Sequence, residues 1–448
     1  MNWEALLETR RLGEAERRDE PYRNPFQADG DRVVFSRPFR RLQQKTQVHP
    51  LPADPHVRNR LVHTLEVASV GRSLGYAVGS RVEPDLMRAG RTADDLGYLV
   101  QATCLAHDIG NPPFGHAGEE AIADHMADWL DGPGLASGLE LDDDLRHFDG
   151  NAQGFRVLAS ADGHRGRGGL RLTVATLAAF LKYPWPAWDA RATRGGRPGA
   201  KFNAFATEGA ALAEVAEATG LPVEDEAVAL PRHPAAWLME AADDLVYTLS
   251  DLEDAVELGV VRFSEYAGVV GPVAGVAAER LAQEDGASAR VALLRSRAVG
   301  VLVEALTDAF LDHLVVAMEG LPTPGGPLVS RLPADLAEPM RRGAALAREA
   351  LQLHPRNVAF EIGARDAIGT ALDVFLPPLA AWAAAGGDED RLPGRARAAL
   401  TLLGDYRPRP GMTPSEAIRC AVDCVAGMTD SYAGRLSARL RGLDPTAA

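Results

Sequence analysis

Residues 107–120 read HDIGNPPFGHAGEE and place two histidines, an aspartate and two glutamates around a Gly-Asn-Pro-Pro turn. A helical pattern that begins near Asp94 ends at His107-Asp108, and another begins after the two prolines, because proline resists continuation of a helix. The segment fits three interpretations: a surface loop without function, a packed structural turn, or the centre of a metal-dependent hydrolase. The rest of the sequence has to distinguish them.

The composition is that of a globular protein with a sizeable core. The chain has 448 residues, of which 46% are hydrophobic, enough for one large or two ordinary domains. Its three cysteines form no CxxC pair, so we expect no disulfide framework and a reducing, cytoplasmic location. The first twenty residues carry charges where a signal peptide needs an apolar run, and we expect no membrane association. The net charge of −15 argues against non-specific coating of nucleic acid.

Helical periodicity dominates the chain, and alternating runs long enough for a sheet are missing, which predicts an all-α fold. A Pro/Gly-rich stretch at 321–333 predicts a boundary between a catalytic region at 1–320 and a C-terminal helical region at 334–448. Helices on both sides sharing one core is the alternative. The predicted helices cover about residues 58–79, 94–107, 116–130, 171–182, 234–257, 288–317, 335–352, 363–384 and 413–441.

An acidic stripe follows one face of the helix predicted at 234–257. Asp243, Tyr247, Asp251 and Asp254 recur at spacings of four, four and three residues, which places them on one side of the helix. Like charges stacked in this way destabilise a helix unless a cation or ligand hydroxyls offset the repulsion. A solvated acidic face is the alternative, but the surrounding leucines indicate a stripe that is partly buried.

Four residues form a candidate metal-ligand set: His63, His107, Asp108 and Asp243. Taken singly, each has a plainer interpretation, such as a hydrogen-bonded core histidine or an aspartate that caps a helix. Together they offer two imidazoles and two carboxylates, a mixed N/O set suited to Mn, Fe, Co, Ni or Zn. A metal held in this way can lower the pKa of bound water and polarise a phosphoryl oxygen.

A second pair follows the Pro-Pro turn. His116 and Glu119 are three residues apart on the predicted helix and therefore share a face. The carboxylate can orient the imidazole, and the imidazole can exchange a proton with an attacking water or a leaving oxygen. We predict a catalytic pair.

The order His63, His107-Asp108, Asp243 resembles the HD-domain phosphohydrolase superfamily, and longer blocks resemble one branch of it, the deoxyguanosine triphosphate triphosphohydrolases (dGTPases). These blocks span about residues 24–260 and reappear near the C-terminus. The matching blocks are RRLQQKTQVHPL (40–51), VRNRLVHTLEV (57–67), CLAHDIGNPPFGHAGEEAI (104–122), HFDGNAQGFRVL (147–158), LKYPW (181–185), MEAADDLVYTLSDLEDAV (239–256) and AGMTDSYA (426–433).

The resemblance implies an HD-domain helical fold with additional C-terminal helices and a metal-site core at about 40–260. It also implies one catalytic divalent metal, Mn²⁺ or Mg²⁺, and hydrolysis of a deoxynucleoside triphosphate (dNTP), with dGTP preferred. The products would be a deoxynucleoside and inorganic triphosphate, released when water attacks the α-phosphorus. Members of the family form homo-oligomers, often hexamers, and we expect the same here.

The resemblance also implies contacts with the phosphates. Arg60 matches a phosphate-contacting arginine, and Lys182 and Lys201 match triphosphate-binding lysines, with Tyr183 beside Lys182. Only three of the 47 basic residues are lysines, and the third, Lys45, also falls in a family block. A substrate with about four negative charges needs such cations in an acidic protein.

At the sugar, the resemblance implies that Asp251 accepts a hydrogen bond from the 3′-hydroxyl and that Tyr247 packs near C2′, where a 2′-hydroxyl would clash. Gln47 is expected to touch the sugar, and Glu361 is a candidate acceptor for guanine N1–H and N2–H. Asn151 either supports the site or belongs to a helix-capping turn.

Two other functions stay open at this point. One is an HD phosphohydrolase of another nucleotide, such as a 5′-nucleotidase or a (p)ppGpp hydrolase, although the lysines and the Tyr247/Asp251 pair favour a dNTP. The other is a regulator that responds to nucleotides or single-stranded DNA, suggested by the basic segment HRGRGGLR at 164–171. The sequence does not decide between control of dNTP pools and defence against foreign DNA.

Overall fold

The computed structural model describes residues 1–17, 20–47, 56–161, 169–194, 197–198, 201–222, 230–319, 326–352 and 355–443. Within these ranges the protein is built from helices, which confirms the all-α prediction. The strands described there are one short antiparallel pair, Thr193–Arg194 with Arg197–Pro198.

The α-helices of the described ranges are numbered in chain order. They are α1 (Trp3–Leu6), α2 (Pro25–Val34), α3 (Arg37–Arg41), α4 (Arg60–Arg81), α5 (Glu83–Arg88), α6 (Ala93–Ala106), α7 (Gly115–Trp129), α8 (Gly150–Arg156), α9 (Val174–Phe180), α10 (Gly209–Thr219), α11 (Pro234–Glu257), α12 (Phe263–Ala274), α13 (Ala278–Ala282), α14 (Ala287–Met318), α15 (Ala334–Gln352), α16 (Pro355–Ala384), α17 (Gly394–Leu402), α18 (Pro414–Ala426) and α19 (Asp430–Leu440).

The single helix predicted at 413–441 is wrong. The chain leaves the helix after Ala426, and α19 starts at Asp430. Thr429 adopts extended backbone angles, and its hydroxyl accepts a hydrogen bond from Tyr432 N, which caps the new helix. Periodicity missed the break because both helices bury apolar residues in the same core.

Helices α4 and α6 approach each other closely because glycines face the contact. A Cβ on Gly75 would lie 2.8 Å from the carbonyl oxygen of Leu96, and one on Gly79 would lie 2.7 Å from the Cα of Ala93. Helix α11 packs against both helices in the larger hydrophobic core. This three-helix contact brings together the three segments that carry the predicted metal ligands.

A second core lies on the other side of α7. The buried residues that α7 contributes to it pack against α16, and α18 and α19 pack against α16 in the same core. By length and composition alone α16 could cross a membrane, but half of its most apolar window is buried inside the protein, as in a core helix. The members from α7 are Ala121, Ile122, Met126 and Trp129, and those from α16 include Ile368, Leu372, Phe375 and Leu379.

The two cores do not by themselves fix a domain boundary. Leu328 and Leu332, inside the predicted boundary stretch, and Ala347, beyond it, belong to the larger core that also contains residues of α4, α6 and α11. Residues 320–325 of the predicted linker lie outside the described residues. The division into 1–320 and 334–448 stays a prediction.

Gly110, two residues after Asp108, fixes the turn against α8. A Cβ at this position would collide with the carbonyl oxygen of Gly150 and with the backbone nitrogen of Gly154. Backbone atoms cannot rotate away as the end of a flexible side chain can. The backbone of the turn and the backbone of α8 therefore touch directly, which fixes the position of the residues that follow.

We expect Gly110→Ala to lower the free energy of unfolding by about 3 kcal/mol, the upper end of the usual overpacking penalty. The matched control is Gly300→Ala in the middle of α14, where an added Cβ meets nothing within 4 Å. That change should stabilise the protein by about 0.5–1 kcal/mol, because alanine favours the helix. Denaturant unfolding measures both, and equal stability of the two variants would contradict the close packing of Gly110.

Candidate active site

Four side chains from three helices converge at one point. His63 Nε2 lies 3.1 Å and His107 Nε2 lies 3.6 Å from Asp243 Oδ1, and His107 Nε2 lies 3.4 Å from Asp108 Oδ2. Ligands held at about 2.1 Å from a metal in tetrahedral or octahedral geometry are themselves roughly 3.0–3.5 Å apart. The spacing of His63, His107 and Asp243 could hold a metal ion, and Asp108 adds a fourth donor beside them.

The donor atoms are also oriented for a cation. His107 Nδ1 lies 2.6 Å from the carbonyl oxygen of Cys104, which fixes the proton on Nδ1 and leaves a lone pair on Nε2. Arg60 and Asn111 both donate to Oδ1 of Asp108. Among the described residues, the buried His107 Nε2 and Asp108 Oδ2 have no hydrogen-bond partner. Leaving such atoms unpaired costs about 1–3 kcal/mol each, so the residues fit a bound metal.

The electrostatic surroundings keep both carboxylates ionised. Burial alone would raise the pKa of Asp243, but the neighbouring His107 and Lys182 hold it well below its usual range. Burial is likewise outweighed at Asp108, where the Arg60 guanidinium lowers the pKa. Deprotonated carboxylates are what metal binding requires, so the protein does not have to lose carboxyl protons at neutral pH to bind a cation.

The predicted catalytic pair lies on the first turns of α7. His116 Nδ1 is 2.8 Å from Glu119 Oε2, and Lys201 Nζ donates to the same oxygen at 3.0 Å. The other oxygen of Glu119 accepts a hydrogen bond from Gly150 N at 2.8 Å. Burial raises the pKa of Glu119, but His116 and Lys201 outweigh it and lower the pKa to about 2. Glu119 is therefore a fixed carboxylate, and His116, with its side chain 84% exposed, stands in front of it.

A cavity of about 380 Å³ connects the metal-ligand cluster and the His116/Glu119 pair. Most of the predicted substrate-binding residues line it. They are Gln47, Arg60, Lys182, Tyr183, Lys201, Tyr247 and Glu361. Asp251 does not reach the surface of the cavity in this conformation: it is 3% exposed and hydrogen-bonded to Tyr247. Burial raises the pKa of Asp251 to about 7.

The three lysines differ in their surroundings. Lys182 and Lys201 line the cavity, whereas the fully buried Lys45 donates to the carbonyl oxygens of Asn111 and Ala426. Burial, reinforced by the charge of Arg41, lowers the pKa of Lys45 to about 7. Lys45 therefore holds the main chain around the site and does not face the cavity.

Asn151 also lines the cavity, and the capping role belongs to its neighbour. Asp149 is the N-cap of α8 and accepts hydrogen bonds from both the backbone nitrogen and the side-chain amide of Asn151. The carbonyl oxygen of Asn151 accepts a hydrogen bond from Asn203 Nδ2 at 3.2 Å. Asn151 thus belongs to the wall of the site as well as to the capped turn.

Sequence reasoning missed the aromatic end of the cavity. Phe114 and Phe360 meet edge to face with ring centroids 5.0 Å apart, next to Glu361. Asn357 lines the same region, and its amide donates to the carbonyl oxygen of Leu351 at 2.6 Å. The available signal was local: Asn357 and Phe360 stand within four residues of Glu361.

Together, the fold and the site define an all-α protein in which a histidine–aspartate cluster that could hold a metal ion opens into a cavity lined by cations, an arrangement suited to phosphate chemistry. No protein-family model matches the chain. A deoxyguanosinetriphosphate triphosphohydrolase-like protein of Pseudomonas aeruginosa is 40% identical over 455 residues, covering 99% of each chain. The protein of the same name from Synechocystis sp. is 37% identical over 453 residues, 99% of this chain and 100% of the relative.

A shorter match links the chain to a protein whose name lacks the ending '-like'. A deoxyguanosinetriphosphate triphosphohydrolase of Klebsiella pneumoniae is 38% identical over 262 residues, 52% of this chain and 50% of that protein. The full-length matches decide the family. The chain belongs to the deoxyguanosinetriphosphate triphosphohydrolase-like proteins, which confirms the resemblance drawn from its sequence blocks.

We expect Mn²⁺ to raise the melting temperature of the wild-type protein and to have no such effect on Asp243→Asn. An ion present at 100 times its Kd stabilises the native state by about 2.7 kcal/mol. Asp244→Asn is the matched control, because it removes the neighbouring carboxylate on the same helix, one that burial already holds at a pKa of about 7. Melting curves and metal content measure the effect, and equal stabilisation of Asp243→Asn would remove this residue from the ligand set.

Proposed function

We propose that the protein is a metal-dependent dNTP triphosphohydrolase that converts dGTP, and other dNTPs to a lesser extent, to a deoxynucleoside and inorganic triphosphate. The single observation that carries the proposal is that one cavity joins the histidine–aspartate cluster, the His116/Glu119 pair and three cationic side chains. Full-length relatives named for the same activity support it.

His63, His107, Asp108 and Asp243 would hold the divalent metal. Bound there, Mn²⁺ or Mg²⁺ would lower the pKa of a water ligand and polarise a phosphoryl oxygen. Arg60 and Asn111 hold Asp108 by its other oxygen, so the carboxylate is oriented before the substrate arrives. Preorganised ligands of this kind are typical of sites where small displacements reduce activity.

The triphosphate would lie along Arg60, Lys182 and Lys201. Burial disfavours the charged form of Lys182, but the charge of Asp243 outweighs it and raises the pKa of Lys182, so the ammonium persists at neutral pH. These cations stand in a chain whose net charge is −15. They would stabilise negative charge that develops on the phosphates during the reaction.

The His116/Glu119 pair would handle the proton. The hydrogen bond to Glu119 fixes the imidazole through Nδ1 and leaves Nε2 for exchange with the attacking water or with the leaving 5′-oxygen. The carboxylate of Glu119, whose pKa is lowered to about 2, would stay ionised and keep the imidazole oriented. Lys201, bound to the same carboxylate, would connect this pair to the phosphates.

The sugar would lie beside Tyr247 and Gln47. The buried Oε1 of Gln47 has no hydrogen-bond partner among the described residues, so it could accept a hydrogen bond from a sugar hydroxyl. Tyr247 would exclude a 2′-hydroxyl sterically. Asp251, buried behind it and hydrogen-bonded to it, would accept from the 3′-hydroxyl once the Tyr247 side chain turns aside. Tyr183 completes the cavity wall near Lys182, and Glu361 would accept from guanine at the aromatic end.

We also infer a homo-oligomer, with a hexamer as the expected assembly, and a cytoplasmic location. Single-stranded DNA stays a candidate modulator. Residues 164–168 of the basic segment that suggested it lie outside the described residues.

Product analysis tests the proposed reaction. Purified protein incubated with each dNTP and Mn²⁺ should release deoxynucleoside and triphosphate in equal amounts, with dGTP turned over fastest. A 5′-nucleotidase would instead release orthophosphate from a monophosphate, and a regulator would release nothing. Orthophosphate or pyrophosphate as the first product would contradict cleavage at the α-phosphorus.

Tyr247→Ala should relax the discrimination between dGTP and GTP, because it removes the ring that would collide with a 2′-hydroxyl. We expect the ratio of kcat/KM for the two substrates to fall by about tenfold, equivalent to about 1.4 kcal/mol. Tyr247→Phe is the matched control, since it keeps the ring and loses only the hydroxyl. An unchanged ratio in Tyr247→Ala would reject the steric account.

A further inference from the structure

Three distant segments meet around the turn that precedes α7. Lys45 Nζ donates to the carbonyl oxygens of Asn111, at the start of the turn, and Ala426, at the end of α18. Asp430, the first residue of α19, accepts hydrogen bonds from Phe114 N at 3.0 Å and from Thr46 N at 2.7 Å. The C-terminal helices thus hold both ends of the turn between the metal ligands and the catalytic pair.

We call the contact of Asp430 with Phe114 and Thr46 the joint. Phe114 is its strained member. Its backbone is left-handed, with φ 68° and ψ 12°, and among the described residues only Arg171 is another non-glycine with positive φ. A left-handed conformation costs a bulky residue roughly 1–3 kcal/mol, so surrounding contacts have to maintain it. The N-cap position that Phe114 occupies has no side-chain cap, and its own N–H is bound by Asp430.

The chemistry of the joint requires a carboxylate. Asp430 is 3% exposed and faces two backbone N–H groups with its two oxygens. An asparagine has one acceptor oxygen, and its NH₂ would face the second N–H donor. One buried N–H would then lose its partner.

We propose that Asp430 is a positioning residue for catalysis: through Phe114 N it sets the first turn of α7, and with it the place of the His116 imidazole. The proposal rests on the proposed function for its kinetic consequence. His116 follows Phe114 by two residues, so a change in the backbone of Phe114 displaces the imidazole directly. Misplacing a catalytic group by about 1 Å can reduce turnover by about 100-fold.

Through its hydrogen bond to Thr46, Asp430 also positions the cavity wall that contains Thr46 and Gln47. Thr46 and Gln47 line the cavity, and Thr46 forms a backbone bridge with Asn59 immediately before α4. Asp430 therefore fixes, with one side chain, the start of α7 and the wall beside the start of α4. The metal ligands themselves are held by other contacts and should be spared when Asp430 is changed.

The test compares Asp430→Asn with Thr429→Ala. The Thr429 hydroxyl caps α19, whereas the N–H groups of Phe114 and Thr46 are bound by Asp430. Loss of the hydroxyl should therefore weaken the cap of the same helix and leave both of those hydrogen bonds in place. We expect Asp430→Asn to lower kcat by about 10- to 100-fold with Mn²⁺ content unchanged. Thr429→Ala should keep kcat within about twofold of wild type.

A double-mutant cycle with His116→Ala separates positioning from general damage. His116→Ala alone should lower kcat by roughly 10²–10⁴, the usual contribution of a general acid or base. If Asp430 acts through His116, then adding Asp430→Asn to His116→Ala should lower kcat by less than about twofold more. Full multiplication of the two effects would overturn the proposal, as would a kcat of Asp430→Asn within twofold of wild type.

Hydrogen–deuterium exchange provides a readout that needs no substrate. Peptides that cover residues 111–118 should exchange faster in Asp430→Asn than in wild type and should be unchanged in Thr429→Ala. If the wild-type protein releases no triphosphate, the proposed function fails. The exchange pattern still shows whether Asp430 holds the backbone at Phe114. Unchanged exchange in Asp430→Asn would overturn the positioning role.

Asp430→Glu replaces Asp430→Asn if the asparagine variant does not fold. It keeps the charge and both acceptor oxygens but shifts them by one methylene group. The same loss of kcat and the same faster exchange at 111–118 are expected. A folded Asp430→Glu with wild-type kcat would contradict the proposal.

Discussion

The buried Asp108 and the partly buried Asp243 lie beside two imidazoles, and the free energy of that arrangement constrains the rest of the structure. Two carboxylates this close repel each other unless positive charge stands between or around them. The protein supplies part of it: Arg60 lowers the pKa of Asp108, and His107, His63 and Lys182 lower the pKa of Asp243. His107 Nε2 and Asp108 Oδ2 have no hydrogen-bond partner among the described residues, which indicates that a bound cation supplies the rest of the positive charge.

Helix packing makes this concentration of charge achievable. Glycines on α4 let it approach α6 at backbone distance, and α11 closes the third side with its acidic stripe. On the far side, α7 is shared between the site and the second core: its first turns carry the His116/Glu119 pair and its later turns pack against α16. Helix α7 is thus supported by a C-terminal helix that contributes few side chains to the cavity.

The sequence predicts contacts between residues that are close together along the chain better than contacts between distant residues. Periodicity identified the long helices, and short spacings identified His107-Asp108 and the His116/Glu119 pair, because these signals lie within one or two turns of chain. The break between α18 and α19 was missed, since both helices have apolar faces that continue one pattern.

Long-range contacts left no such local pattern. The carboxylate of Asp430 accepts hydrogen bonds from Phe114 and Thr46, which are 316 and 384 positions away. The residues next to Asp430 in the sequence form no pattern that predicts either partner. For the same reason Lys45 was grouped with the two cavity lysines, although its ammonium is bound to main-chain carbonyls. Asp251 was placed correctly on the stripe, but its burial behind Tyr247 depends on packing that spacing does not describe.

The central claim is that His63, His107, Asp108 and Asp243 share one cation. Pulsed electron paramagnetic resonance of the Mn²⁺-loaded protein tests it directly, because imidazole nitrogens bound to Mn²⁺ modulate the electron spin echo. The account predicts nitrogen couplings from two imidazoles in the wild-type protein and from one in His63→Ala. A spectrum without imidazole nitrogen coupling, from a protein that has bound one equivalent of Mn²⁺, would contradict it.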